Sequence, residues 1–178
     1  MSYMTLVKFF KKRCNTSRGS LVNVAGAAEK VELLHSRITY NNGTKMDLEN
    51  VFKALREVKK FDFFAPAIDP NVSDVTVKKL LIQPLFVQLV EVSLMNLPST
   101  FDMEVFYGYI LQNKLTKIGL SFCRRVPRPY VNRLNEIVQE IINHRDRWYK
   151  SPCLHYREML TETYNRLGDI HDGYVYTL

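Results

Sequence analysis

The chain has 178 residues, 46% of them hydrophobic, and a formal net charge of +7. That length and apolar content fit one folded body with a real core and exclude general disorder. The three cysteines (Cys14, Cys123 and Cys153) are too few and too widely spaced for a disulfide framework, and no C-x-x-C pair occurs, so a reducing compartment is expected.

The charge is concentrated at the start. Residues 1–28 hold Lys8, Lys11, Lys12, Arg13 and Arg18, and no carboxylate precedes Glu29. Such a cluster marks where a polyanion or an anionic membrane is met. Tyr3, Leu6, Val7 and Phe10 recur at i, i+3, i+4 and i+7 with Lys8 and Lys12 opposite, the pattern of a basic amphipathic docking helix. The plainer alternative is a solvated basic tail. Near an anionic surface each Lys or Arg contributes about 1 kcal/mol, so five reach about 5 kcal/mol, enough for reversible attachment. Phe9 and Phe10 are the candidates for insertion. No signal-peptide core is expected, Ser2 stands where myristoylation needs glycine, and no prenylation box ends the chain. The most apolar window, residues 80–97, contains Gln83, Pro84, Gln88, Glu91 and Asn96, too polar to span a bilayer. A soluble chain that meets membranes only peripherally is expected.

The division in chain order is a basic arm over 1–28 and a single globular domain over 29–178. Residues 16–20 read as a joint. Residues 31–40 read as a strand closed by the turn signal Asn41-Asn42-Gly43. Asp47 then caps a helix bearing Leu48, Val51, Phe52, Leu55 and Val58. Residues 61–74 read as a proline-bounded loop whose Phe61, Phe63 and Phe64 either form a docking patch or tuck back onto the body. Val75-Thr76-Val77 begins a strand or a short helix. Residues 85–95, 103–111 and 117–124 read as strands, the last two joined by a Gln112-Asn113-Lys114 turn. Pro129 opens a helix with Val131, Leu134, Ile137, Val138, Ile141, Ile142 and Trp148 on its buried stripe. A second helix over 154–167 ends at Gly168. No internal repeat is apparent. The expected fold class is α+β: a flexible basic arm, a strand–helix unit, a small antiparallel sheet and two C-terminal helices.

Catalytic motifs are missing: no Gly-rich phosphate loop, no H-E-x-x-H and no G-x-S-x-G. Cys153, His155, His171 and Asp172 lack metal-finger spacing. No enzyme activity, metal, cofactor or small-molecule substrate is therefore expected. A second basic cluster, Arg124, Arg125, Arg128 and Arg133, surrounds a helix start, where cations are unfavourable unless an external anion compensates them. Arg145, Arg147 and Lys150 crowd the helix end, where they either complement its dipole or belong to the same basic surface.

The acid-free start (Lys8 to Arg18) and the unit Glu29-Lys30-Val31, Arg37-Ile38-Thr39-Tyr40-Asn41-Asn42, Leu48 and Val51-Phe52-Lys53-Ala54-Leu55 resemble the rhabdovirus matrix proteins, most of all the short ones of plant-infecting members. The late-budding motifs Pro-Pro-x-Tyr and Pro-Thr-Ala-Pro do not occur. The resemblance implies a non-enzymatic virion protein that condenses the ribonucleoprotein, binds acidic lipid and self-associates. It would sit in the virion and in host cytoplasm, peripheral to membranes. It also implies that Lys8, Phe9, Phe10, Lys11, Lys12, Arg13 and Arg18 touch membrane or nucleocapsid, and that the Arg124–Arg133 group forms a second anionic contact. Two weak contacts of this kind strengthen each other in an assembly. The alternatives are an RNA-binding viral protein, such as a small coat protein or silencing suppressor, and an adaptor acting through Phe61–Phe64.

Overall fold

Four stretches share one short pattern. Lys30-Val31-Glu32-Leu33, Lys60-Phe61-Asp62-Phe63, Glu91-Val92-Ser93-Leu94 and Lys117-Ile118-Gly119-Leu120 each alternate a charged or small residue with an apolar one, as a strand with one buried face does. The computed structural model describes residues 7–8, 15–17, 28–34, 37–40, 42, 44, 46–53, 55, 57–65, 72, 74–144 and 148–173. Its strands are β1 (Val7–Lys8), β2 (Asn15–Ser17), β3 (Lys30–Leu34), β4 (Arg37–Thr39), β5 (Lys60–Phe64), β6 (Glu91–Leu97), β7 (Lys117–Phe122) and β8 (Cys153–His155). Its helices are α1 (Leu48–Phe52), α2 (Asp74–Leu81), α3 (Pro84–Val87), α4 (Met103–Ile110), α5 (Arg128–Asn143) and α6 (Thr161–Asp172).

The main sheet runs β1-β3-β5-β6-β7-β8 with every pairing parallel, and β2 pairs β4 in a separate parallel ribbon. From β3 onward each strand of the main sheet reaches the next one in that sheet through at least one helix, because a parallel pair cannot be closed by a hairpin. Strands laid down in sequence order by crossovers of one hand keep every connection on the same face of the sheet. Burial agrees. Val31, Phe61, Val92 and Ile118 form one fully covered ladder in register, and Leu33, Phe63, Leu94, Leu120 and Leu154 form the next. Phe52 of α1 meets Phe61 of β5 with ring centroids 4.6 Å apart, so the helix layer closes on the first ladder through an aromatic contact.

The strand starts Lys30, Lys60, Glu91, Lys117 and Cys153 recur about every 30 residues, a solenoid-like winding. Each is led in by the frame φ-x-x-φ-x-φ: Ala28-x-x-Val31-x-Leu33, Val58-x-x-Phe61-x-Phe63, Leu89-x-x-Val92-x-Leu94 and Leu115-x-x-Ile118-x-Leu120, with Ser151-x-x-Leu154-x-Tyr156 a weaker fifth. Leucine-rich repeats use the same apolar frame. An internal repeat is therefore present, degenerate in residue identity but regular in geometry.

The expected α+β class with a small antiparallel sheet is overturned: the sheet is parallel and the architecture α/β. The decisive misreading is residues 103–111, expected as a strand and found as α4, which turns a supposed hairpin into a crossover. Residues 61–64 are strand β5, not loop. The expected strand over 85–95 divides into α3 and β6. The 154–167 helix is replaced by β8 and by α6, which ends at Gly173 with φ 94°. Trp148 is exposed, not on the buried stripe of α5. In the arm, Val7–Lys8 is extended and pairs with Val31 and Glu32, where a helical face was expected.

Candidate functional site

Alternation in a strand sends every second side chain to the opposite face, which the described helices leave uncovered except where α6 reaches Lys117 and His155. On that open face the register lines up three rows. The first is Lys30, Lys60, Glu91 and Lys117, and the second Glu32, Asp62, Ser93, Gly119 and Cys153. The third brings Phe64 beside Met95 and Ser121 beside His155. Phe64, Met95, Ser93 and Ser121 are half-buried, and His155 is exposed with its ring 5.4 Å from that of Tyr164.

The charges on this face pair with one another. Lys30 Nζ lies 2.6 Å from Glu32 and 3.3 Å from Asp62, Lys60 2.8 Å from Glu91, and Lys117 2.7 Å from Asp172 at the end of α6. Three lysines thus face three strand carboxylates, so the face carries both signs and little net charge. The hydrogen bond from Lys60 holds Glu91 below the usual carboxylate range. Asp62 differs: burial pushes its carboxyl up, against the lowering effect of Lys30. The small residues Ser93, Gly119 and Cys153 make a shallow trough across β6, β7 and β8. A Cβ on Gly119 would meet Ser93 Oγ at 3.6 Å, ordinary contact, so the position tolerates a side chain. Burial raises the Cys153 thiol, which keeps it protonated and a poor nucleophile.

The predicted second anionic contact falls elsewhere, at the ends of β6 and β7. Arg133 lines a cavity of about 290 Å³ together with Ser99, Asp102, Glu104 and Tyr130. Its charged groups and the Tyr130 hydroxyl are already engaged. Arg133 is held by Glu104, and at 3.0 Å by both Glu136 and Glu140, and the Tyr130 hydroxyl donates to the Phe101 carbonyl at 2.7 Å. Arg128 pairs with Glu158. Arg124 and Arg125 are exposed on the turn after β7 and make no ion pair among the described residues. The predicted cluster is thus divided into two engaged cations and two available ones.

Of the predicted docking loop, Phe61 and Phe63 lie in the core, and only Phe64 reaches the open face. From the arm, Lys8 stands in β1 opposite Glu32, while Phe9, Phe10, Lys11, Lys12, Arg13 and Arg18 lie outside the described residues. Among the described residues no three His, Cys, Asp or Glu side chains converge as metal ligands, and no helix is long and apolar enough to cross a membrane. The His171 Nδ1 instead lies 2.8 Å from the Ser151 carbonyl. Comparisons with protein-family models, with curated proteins and with solved structures give no match. The open face was missed in the sequence, although the recurring quartet at Lys30, Lys60, Glu91 and Lys117, a charged residue, an apolar one, a polar or small one and an apolar one, was its visible signal.

Proposed function

We propose that the chain is a non-enzymatic binding scaffold that takes a polypeptide partner on the open face of β3, β5, β6 and β7. The observation that carries this reading is the charge balance of that face, where Lys30, Lys60 and Lys117 stand against Glu32, Asp62 and Glu91. A nucleic acid requires a clear excess of cations over its footprint. A protein surface instead offers mixed signs around apolar patches, which suits a face carrying Phe64, Met95 and a small-residue trough. The test replaces Gly119 with arginine, which fills the trough without backbone strain. Partners retained by the tagged full chain from its own cells are compared with those of Gly119→Arg and of Gln139→Arg on the exposed side of α5. The reading expects one partner set lost in the first variant and kept in the second. An unchanged set in both refutes it.

A second reading, a matrix-type protein assembling nucleocapsid against anionic membrane, is favoured by the availability of Arg124 and Arg125 in addition to the cations that the sequence concentrates in residues 1–28. It expects the Arg124→Gln/Arg125→Gln double variant to lose binding to acidic liposomes or RNA, with a steep salt dependence in the parent. Salt-independent or absent binding counts against it.

A further inference from the structure

The lead-in to β7 exchanges a leucine for a threonine. In the repeat frame Leu115 occupies the position of Leu89, which is fully buried, yet Leu115 is 73% exposed and the neighbouring Thr116 is buried in its stead. The exchange is built in by Asn113, whose Oδ1 accepts from the Leu115 N–H at 3.2 Å and the Thr116 N–H at 2.9 Å, while its Nδ2 donates to the Thr116 carbonyl at 2.7 Å. Thr116 Oγ1 then donates to the Leu89 carbonyl at 2.6 Å. A fold that satisfies a buried threonine in order to expose a leucine forgoes burial that the equivalent repeat takes.

Leu115 does not protrude alone. Val90, before β6, is 51% exposed, and Trp148, before β8, is 62% exposed. The three segments are stitched together: the Lys117 N–H donates to the Val90 carbonyl at 2.8 Å, the Lys150 N–H to the Asn113 carbonyl at 2.7 Å, and Lys150 Nζ to the Leu115 carbonyl at 3.3 Å. Val90, Leu115 and Trp148 therefore stand along one rim of the sheet. Lys114 and Lys150 flank them and make no ion pair among the described residues, and residues 88–90, 112–116 and 148–151 contain no carboxylate. Glu91 and Asp172, which follow or adjoin these segments, are already held by Lys60 and Lys117.

We infer that this rim docks the protein onto an anionic membrane surface, with Val90, Leu115 and Trp148 entering the headgroup boundary and Lys114 and Lys150 meeting acidic lipid. Apolar tips with tryptophan, set in segments whose charged side chains are lysines, suit an interface whose inner side is apolar and whose outer side is negative. Three tips and two lysines are far fewer than the roughly 20–30 residues a side of a standard protein interface, whereas a bilayer receives isolated tips. The inference is independent of the open face and of the basic arm.

Trp148 is the sole tryptophan, so its emission reports on this rim alone. The full chain is titrated with phosphatidylcholine vesicles containing phosphatidylserine, and with phosphatidylcholine vesicles alone. The expected result is an emission shift to shorter wavelength with the acidic vesicles, reversed by salt, and about tenfold weaker partitioning for Leu115→Gln. Unchanged circular dichroism and melting in that variant confirm that it folds. Vesicle binding without any Trp148 shift overturns the inference in favour of the arm. A shift produced by an acidic amphipathic peptide but not by vesicles overturns it in favour of a protein partner.

Discussion

Asp62 is the side chain on the open face that the fold holds at a disadvantage. Its carboxyl is raised by burial even beside Lys30, so the folded chain binds that proton more tightly than the unfolded chain does. Its contribution is therefore unfavourable at neutral pH and fades as pH falls through the folded value. Asp62→Asn should match or exceed the parent in urea melts at pH 7, with the difference closing in acid, since Lys30 keeps Glu32 at 2.6 Å. A variant clearly less stable at pH 7 would show Asp62 to be structural. By contrast, Phe61 is completely buried under the helix layer, and Phe61→Ala should cost about 3–5 kcal/mol in the same melts. That contrast separates the two faces of one strand, and the sequence shows it only once Phe61 and Phe63 are read as alternating with Asp62.

Elements were legible where period and caps agreed. Helix α5 carries Val131, Leu134, Ile137, Val138, Ile141 and Ile142 on one buried stripe, and was read correctly apart from its end. Helix α4 was missed because Val105, Phe106, Tyr107 and Ile110 have high strand propensity. Its helical signal was nonetheless present. Met103, Phe106, Tyr107 and Ile110 recur at helical spacing, and Asp102 caps the start by accepting from the Val105 N–H at 3.1 Å. The turn that follows depends on one side chain. Asn113→Ala removes three hydrogen bonds and leaves two backbone N–H groups without their acceptor, so denaturant melts should show a loss of about 2–4 kcal/mol. A loss under 1 kcal/mol would mean that the turn is closed by the backbone alone. The end of α6 is held by His171 against the Ser151 carbonyl and by Asp172 against Lys117. Burial lowers the His171 imidazole below its ordinary value of 6.5, and Lys117 and Lys150 act the same way, against the raising effects of the Ser151 hydrogen bond and Asp172. The unfolded chain thus takes up the proton first as pH falls. Stability should be full above the ordinary value and decline as pH drops through the folded one, and His171→Gln should flatten that slope in thermal melts between pH 7.5 and pH 5.

At the scale of the whole molecule, what the sequence left illegible was topology. Strands at β3, β6 and β7 are visible as patterns or partly so while β5 reads as loop, and parallel order depends on whether a helix or a turn joins the strands, which turns on α4. The repeat was hidden because each turn of the winding keeps only apolar character, never residue identity: Val31, Phe61, Val92 and Ile118 fill equivalent sites. The basic cluster at Arg124 to Arg133 was legible as charge but not as chemistry, because the carboxylates that engage Arg133 come from Glu104 on another helix and from Glu136 and Glu140 along its own. Among the described residues, one face of the parallel sheet has no helix layer over β3, β5 and β6, where such sheets are ordinarily covered on both sides. The most direct test of what covers it places a photo-crosslinking residue at Ser93, in the middle of that face, and in a second variant at Gln139 on the exposed side of α5. Irradiation of the full chain in its own cells should give a discrete protein adduct from position 93 and none from position 139. Adducts from 139 alone, or nucleic acid in place of protein at 93, would contradict a polypeptide-binding face.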